Sequence, residues 1–270
     1  MTIREETKYL MQSYDIHPNK NLGQNFLIDE IALNTIANNV TGQDTIIEIG
    51  PGLGTLTAIL LQKAKKVIAV EIDNRMIKIL QDRFKLYDNF EIINEDILKV
   101  DINKLATNAK IVANLPYYIT TSIVTKIISS DVNDITILIQ KEVADRICAT
   151  PGNKEAGAIT YFINYYADAK IEGIVPKESF IPSPKVESAI VRLKKLKKPR
   201  VDVADEKLMF ELIKENFTKR RKTILNSLSN TIEKERLIEI LKQLNISEKA
   251  RGEELTLEQF AEISNKYTEK

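Results

Sequence analysis

The stretch Glu48-Ile49-Gly50-Pro51-Gly52-Leu53-Gly54 decides how this chain is read. It closes an apolar run at 45–49 and opens a helical pattern at 55–64. Glycines between a strand and a helix let the backbone turn tightly and let a ligand approach the main chain closely. Working outward, β-branched runs at 66–70, 90–93, 110–113 and 134–140 alternate with helical patterns at 74–85 and 121–129. This alternation predicts a parallel sheet with helices on both faces. Further on, 158–166 reads as a helix, and 169–175 and 187–193 read as strands joined by the proline-bearing loop 176–185. Strands linked without a helix pair antiparallel, so the sheet is expected to end in an antiparallel strand. The lysine-rich stretch 194–200 reads as a linker, and 206–217, 221–228, 233–244 and 257–267 as short helices, with Asn245 and Gly252 in the breaks. The expected fold is α/β. A doubly wound, mostly parallel Rossmann-like sheet with an antiparallel last strand fills 1–198, and a small all-helical domain fills 199–270.

Composition narrows the function classes. With 270 residues, 43% of them hydrophobic and 29% charged, the chain suits a soluble protein of one large and one small domain. Its apolar runs are strand-sized, far short of a membrane span, and Met1-Thr2-Ile3-Arg4-Glu5-Glu6 lacks the layout of a signal peptide. The single cysteine, Cys148, excludes an internal disulfide and fits a reducing cytoplasm. With His17 as the one histidine, soft ligands are too few for a structural zinc, and no metal is expected. His17 and Cys148 read as structural. Net charge is +1, yet 185–222 holds 13 Lys/Arg against 6 Asp/Glu, whereas 223–270 holds 7 against 9. That basic segment is a candidate polyanion footprint, with a solvated charged face as the alternative.

The cofactor follows from spacing. Glu71 stands at the tip of the second strand, 17 residues beyond Gly54. A carboxylate there can accept hydrogen bonds from both ribose hydroxyls of a nucleoside cofactor. The dinucleotide fingerprint has glycines at positions 1, 3 and 6; here they fall at 1, 3 and 5, and Thr55 holds the sixth. A pyrophosphate needs a helix N-terminus aimed at it, whereas S-adenosyl-L-methionine has no phosphate and needs only close backbone approach. S-adenosylmethionine is therefore favoured over a nicotinamide. Asp96, just after the third strand, offers an acceptor for an adenine amine, or a turn-capping carboxylate.

Asn114-Leu115-Pro116-Tyr117-Tyr118 lies at the carboxyl end of the fourth strand, where open α/β sheets place their ligands. An adenine amine is a poor nucleophile because its lone pair is delocalised into the ring. Acceptors that hold its N–H groups out of the ring plane relocalise that pair. The Asn114 side-chain oxygen and the Leu115 carbonyl suit this task, and Pro116 stiffens the loop that aims them. Tyr117 offers a flat face for stacking.

Several segments then occur in one order: Asn21-Leu22-Gly23-Gln24-Asn25-Phe26-Leu27, the glycine loop, Val70-Glu71-Ile72-Asp73, Asn94-Glu95-Asp96-Ile97, Asn114-Leu115-Pro116-Tyr117 and Phe180-Ile181-Pro182-Ser183-Pro184-Lys185-Val186. Over about residues 20–265 this combination resembles the ribosomal RNA adenine dimethyltransferases. It is most similar to the bacterial branch that dimethylates two adjacent adenosines near the 3′ end of small-subunit rRNA. The resemblance implies an S-adenosylmethionine-dependent methyltransferase sheet and a helical RNA-binding domain. It implies that Asn25 and Leu27 cover the cofactor, that Gly50 and Gly52 cradle it, that Glu71 with Ile72 beside it holds the ribose, and that Asp96 takes the adenine amine. Asn114 would serve both cofactor and target, and Phe180 would stack on the base opposite Tyr117. The partner implied is a small-subunit precursor and its rRNA, gripped by Lys185, Lys195, Lys197, Lys198, Lys219, Arg220, Arg221 and Lys222. The chain is expected to act as a cytoplasmic monomer, with no membrane and no metal. One departure is Ala158, where relatives often carry an arginine, which weakens an RNA contact there. Two rival readings remain: the related large-subunit methyltransferase that confers macrolide resistance, and a non-catalytic RNA-binding factor on the same fold.

Overall fold

The computed structural model describes residues 1–19, 22–219 and 221–269. A capping box starts α1 (Ile3–Ser13): Glu5 N donates to Thr2 Oγ1 at 3.2 Å and Thr2 N donates to the Glu5 carboxylate at 2.7 Å. The two-residue strand β1 (Phe26–Leu27) precedes α2 (Glu30–Ile36), whose N-cap is Asp29. The alternating part then runs β2 (Thr45–Ile49), α3 (Thr55–Lys63), β3 (Lys66–Glu71), α4 (Asn74–Phe84), β4 (Phe90–Asn94), α5 (Ile102–Leu105), β5 (Lys110–Asn114), α6 (Thr120–Ile128) and β6 (Asp134–Gln140). After it come α7 (Lys141–Cys148), α8 (Ala158–Tyr166), β7 (Ala167–Val175), β8 (Phe180–Ile181), β9 (Ser188–Lys195), α9 (Glu206–Thr218), α10 (Ile224–Ser227), α11 (Lys234–Gln243) and α12 (Leu257–Thr268).

Seven strands form one sheet in the order β4-β3-β2-β5-β6-β9-β7. From β4 to β6 all neighbours are parallel. The inner strands β2, β3, β5 and β6 are buried almost throughout, as coverage on both faces requires, while edge strand β4 is partly exposed. The antiparallel strand β9 pairs with β6 from Asp134↔Lys194 to Gln140↔Ser188. It is inserted between β6 and β7, leaving β7 at the edge. The chain builds outward from β2 to β4, then returns to lay β5 on the other side of β2. That reversal opens a crevice at the carboxyl ends of the strands.

The chain divides into two compact units, Met1–Ala144 with Lys170–Lys195 and Asp145–Ala169 with Leu196–Lys270. The expected boundary at 198/199 therefore shifts to the Lys195/Leu196 step, and the helical unit also takes in 145–169. Packing explains this. Tyr161 on α8 is fully buried, its hydroxyl donates to the Leu255 carbonyl at 2.6 Å, and its ring lies 5.4 Å from Phe217 and 5.3 Å from Phe260. The stretch read as a linker is structured at both ends. Lys194 and Lys195 belong to β9, Leu196 N donates to the Tyr166 carbonyl at 2.8 Å, and Arg200 N donates to the Tyr165 carbonyl at 2.9 Å. Backbone pairing needs no apolar side chains, so composition concealed it. Among the described residues no helix is long and apolar enough to cross a membrane.

Candidate active site

A cavity of about 240 Å³ opens at the crevice, within the sheet-bearing unit. Segments 22–27, 48–53, 55–56, 70–72, 95–98 and 114–119 wall it. Gly50, Gly52 and Gly54 all have positive φ, at 65°, 56° and 81°. A Cβ at Gly50 would meet nothing within 4 Å, so the backbone there is open to a ligand. At Gly54 a Cβ would lie 2.7 Å from the Phe84 ring and 2.8 Å from Leu80, so α4 packs directly on the loop.

Glu71 ends β3 and is buried, with 6% of its surface exposed. Its Oε1 accepts from Ile72 N and Asp73 N, each at 2.8 Å, and its Oε2 accepts from Gly52 N at 3.2 Å. Burial raises its pKa against these three N–H donors. A carboxylate offers about four acceptor sites, so capacity remains chiefly on Oε2. Glu48, on β2, also lines the cavity, is 1% exposed, and has no hydrogen-bond partner at Oε2. Burial pushes its pKa up to about 8, the nearby Thr57 hydroxyl opposes the shift, and the Glu71 charge adds to it. A buried carboxyl in a cavity wall with one oxygen unpartnered is suited to a cationic ligand group. S-adenosylmethionine fits, because it presents a sulfonium and an ammonium as well as ribose hydroxyls. Sequence reading missed Glu48, although a carboxylate on an otherwise apolar central strand was the available signal.

Asp96 does two things. Its Oδ1 accepts from Leu98 N at 2.9 Å, capping the turn, while the residue also lines the cavity. Ile72, about half exposed, stands at the rim beside Glu71. Asn25 and Leu27 lie in the wall formed by 22–27, and the Asn25 carbonyl accepts from Asn114 Nδ2 at 3.3 Å. Asn114 Oδ1 is thereby left without a protein donor among the described residues. Leu115 N donates to the Leu138 carbonyl at 3.0 Å, which ties the motif to β6. Pro116 holds φ at −66° ahead of the turn Tyr117–Ile119. The Tyr117 hydroxyl shares a 2.6 Å hydrogen bond with Ser188 Oγ of β9, and burial raises its pKa. Tyr118 is 55% exposed at the rim, with Gly23 packed against its ring.

Phe180 is not brought into this cavity. It is 3% exposed, belongs to the main hydrophobic core, and pairs with Leu27 in the small antiparallel β1–β8 ladder. The ring belongs to the core, and of the two expected platforms it is Tyr117 that lines the cavity.

The basic candidates also divide. Lys185, Lys197, Lys198, Arg221 and Lys222 are all exposed. Lys195 instead donates to the Ser130 carbonyl, and Lys219 binds Glu215 at 2.8 Å and the Ser227 carbonyl at 3.1 Å. Both are held by the fold. Arg220 lies outside the described residues. His17 is exposed beside Asp15, and burial pushes the Cys148 thiol up to about 11, which makes it a poor nucleophile. No group of three or more His, Cys, Asp or Glu that could hold a metal comes together among the described residues.

The sheet order, the glycine loop with its ribose-type carboxylate, and the Asn-Leu-Pro-Tyr motif beside them define a methyltransferase with a nucleoside cofactor. A model of the ribosomal RNA adenine dimethylase family matches residues 16–269. The chain belongs to that family. It is 46% identical to "Ribosomal RNA small subunit methyltransferase A" of Alkaliphilus oremlandii over 98% of this chain and 97% of the relative. Among solved structures, a dimethyladenosine transferase from Plasmodium falciparum superposes with a TM-score of 0.75 at 27% identity, covering 88% of this chain and 95% of that one. The 23S rRNA methyltransferase ErmE superposes with a TM-score of 0.71 at 26% identity, covering 90% and 99%.

Proposed function

We propose that this enzyme transfers methyl groups from S-adenosylmethionine to the exocyclic amines of two adjacent adenosines in a loop near the 3′ end of small-subunit rRNA. The product is N6,N6-dimethyladenosine, formed in the cytoplasm during ribosome biogenesis. The carrying observation is Asn114, which lines the same cavity as Glu71 and the glycine loop and whose amide nitrogen is engaged by the Asn25 carbonyl, leaving its acceptor oxygen without a protein donor among the described residues. ErmE shares the fold, so architecture does not choose between ribosomal subunits. Near-full-length similarity to a small-subunit enzyme favours the small subunit.

When bound, S-adenosylmethionine supplies an electrophilic methyl group. The protein's part is positioning. Asn114 Oδ1, with the Leu115 carbonyl, accepts the amine N–H groups and relocalises the nitrogen lone pair. Tyr117, pinned by Ser188, gives the flipped base a fixed face, worth about 1–3 kcal/mol of stacking. No strong general base is needed, because an alkylated arylammonium is acidic enough to lose its proton to water. Loop adenines leave their stacks at least cost, which favours a single-stranded target.

Cells lacking the gene should lose two adjacent dimethyladenosines from small-subunit rRNA and regain them on complementation, with unchanged macrolide susceptibility. Loss of a methyl group from large-subunit rRNA, together with a changed macrolide response, would refute the assignment.

A further inference from the structure

Near the end of α4, Arg83 is largely withdrawn from solvent, its side chain 12% exposed. One nitrogen, Nη1, donates to the Leu53 carbonyl inside the glycine loop, and Nη2 binds the Glu6 carboxylate on α1. The guanidinium also sits 5.1 Å from the Phe84 ring centroid, and Phe84 is the residue packed on Gly54. Leu53 itself is 1% exposed and stands between two glycines of positive φ. Such a run has high conformational entropy when free. Here two contacts from one helix end, Arg83 on the Leu53 carbonyl and Phe84 against Gly54, restrain it. The restraint depends on α1, since a guanidinium this buried needs a counter-charge, and Glu6 provides it. α1 lies outside residues 16–269, so the family match does not account for it.

We infer that Arg83 and Glu6 are positioning residues for the cofactor: α1, acting through Arg83, holds the glycine loop in its ligand-ready shape. This rests on the reading that the glycine loop receives S-adenosylmethionine. A loop ordered in advance loses less entropy on binding, so the pair acts on cofactor affinity. It touches no reacting atom and leaves the methyl-transfer step at saturation alone.

The test uses the full chain. Wild type, Arg83→Met, Arg83→Lys and Glu6→Gln are titrated calorimetrically with S-adenosylhomocysteine and melted in parallel. Arg83→Met should bind about 10-fold more weakly, the loss expected for one charge-assisted hydrogen bond. Arg83→Lys should recover part of the loss, and Glu6→Gln should fall between. The KM for S-adenosylmethionine should rise accordingly while kcat stays within about twofold of wild type. A folded Arg83→Met with wild-type affinity and only a lowered Tm would overturn the inference. Should Arg83→Met not fold, Glu6→Gln decides, because its carboxylate is partly exposed; wild-type affinity there overturns the inference equally. Failure of the wild type to bind S-adenosylhomocysteine would instead refute the cofactor reading beneath it.

Discussion

Glu48 occupies a place where a strand covered on both faces would ordinarily carry an aliphatic side chain; it lies in the cavity wall, and its Oε2 is buried without a partner. With a pKa of about 8 in the folded chain against 4.5 when exposed, the carboxyl is mostly neutral at pH 7. The stability this group contributes is present below pH 4.5 and is lost as pH rises through about 8. Glu48→Gln should therefore raise the Tm of the ligand-free protein at pH 8.5 and change it little at pH 4.5. Equal effects at both pH values would show that Glu48 titrates normally. A cationic ligand group favours the ionised form, so S-adenosylmethionine should bind more tightly from pH 6.5 to 8.5 and release a proton. Glu48→Gln should abolish that proton release in calorimetry across buffers of different ionisation enthalpy. At the reacting end, Asn114→Ala should cut single-turnover methylation by on the order of 100-fold, with RNA affinity little changed. A near-normal rate would remove Asn114 from the catalytic apparatus.

The glycine loop shows what an element inherits from its neighbours. Gly54→Ala would place a Cβ against Phe84 and Leu80 at a φ of 81°, so it should cost about 1–3 kcal/mol and lower Tm by several degrees. An unchanged melting curve would mean that α4 yields without strain. The loop, the Glu71 strand tip and the Asn114 motif were legible in the sequence because each joins a required residue type to a required backbone position. The helix α1 was signalled by Thr2 and Glu5 at capping-box spacing, but its buried face, Thr7 and Leu10, is too sparse to read as an apolar stripe. The β1–β8 ladder, at two residues a strand, carries no periodicity, so nothing local foretold that Phe180 would be drawn inward. Lys219 is tied into the fold, since Glu215 four residues earlier offers an i,i+4 partner.

Across the molecule, each compact unit carries its own solvent-accessible cations. Lys197, Lys198, Arg221 and Lys222 lie on the helical unit, and Lys185 lies on the sheet-bearing one. Phosphate contacts give affinity without reading sequence, and each appears in the salt dependence of binding. Charge reversal of Arg221 and Lys222 to Glu should weaken rRNA binding and flatten the salt slope by about one unit for each phosphate no longer neutralised, leaving S-adenosylhomocysteine affinity intact. An unchanged slope with a lowered Tm would assign these residues to the helical fold. Chemistry and target are tested together by supplying the purified protein with labelled S-adenosylmethionine and small subunits from cells lacking the gene, then mapping the label by mass spectrometry. Two adjacent N6,N6-dimethyladenosines near the 3′ end of small-subunit rRNA should carry it, with no label when Asn114 is alanine. Label on large-subunit rRNA in a parallel reaction, or transfer that survives Asn114→Ala, would contradict the assignment.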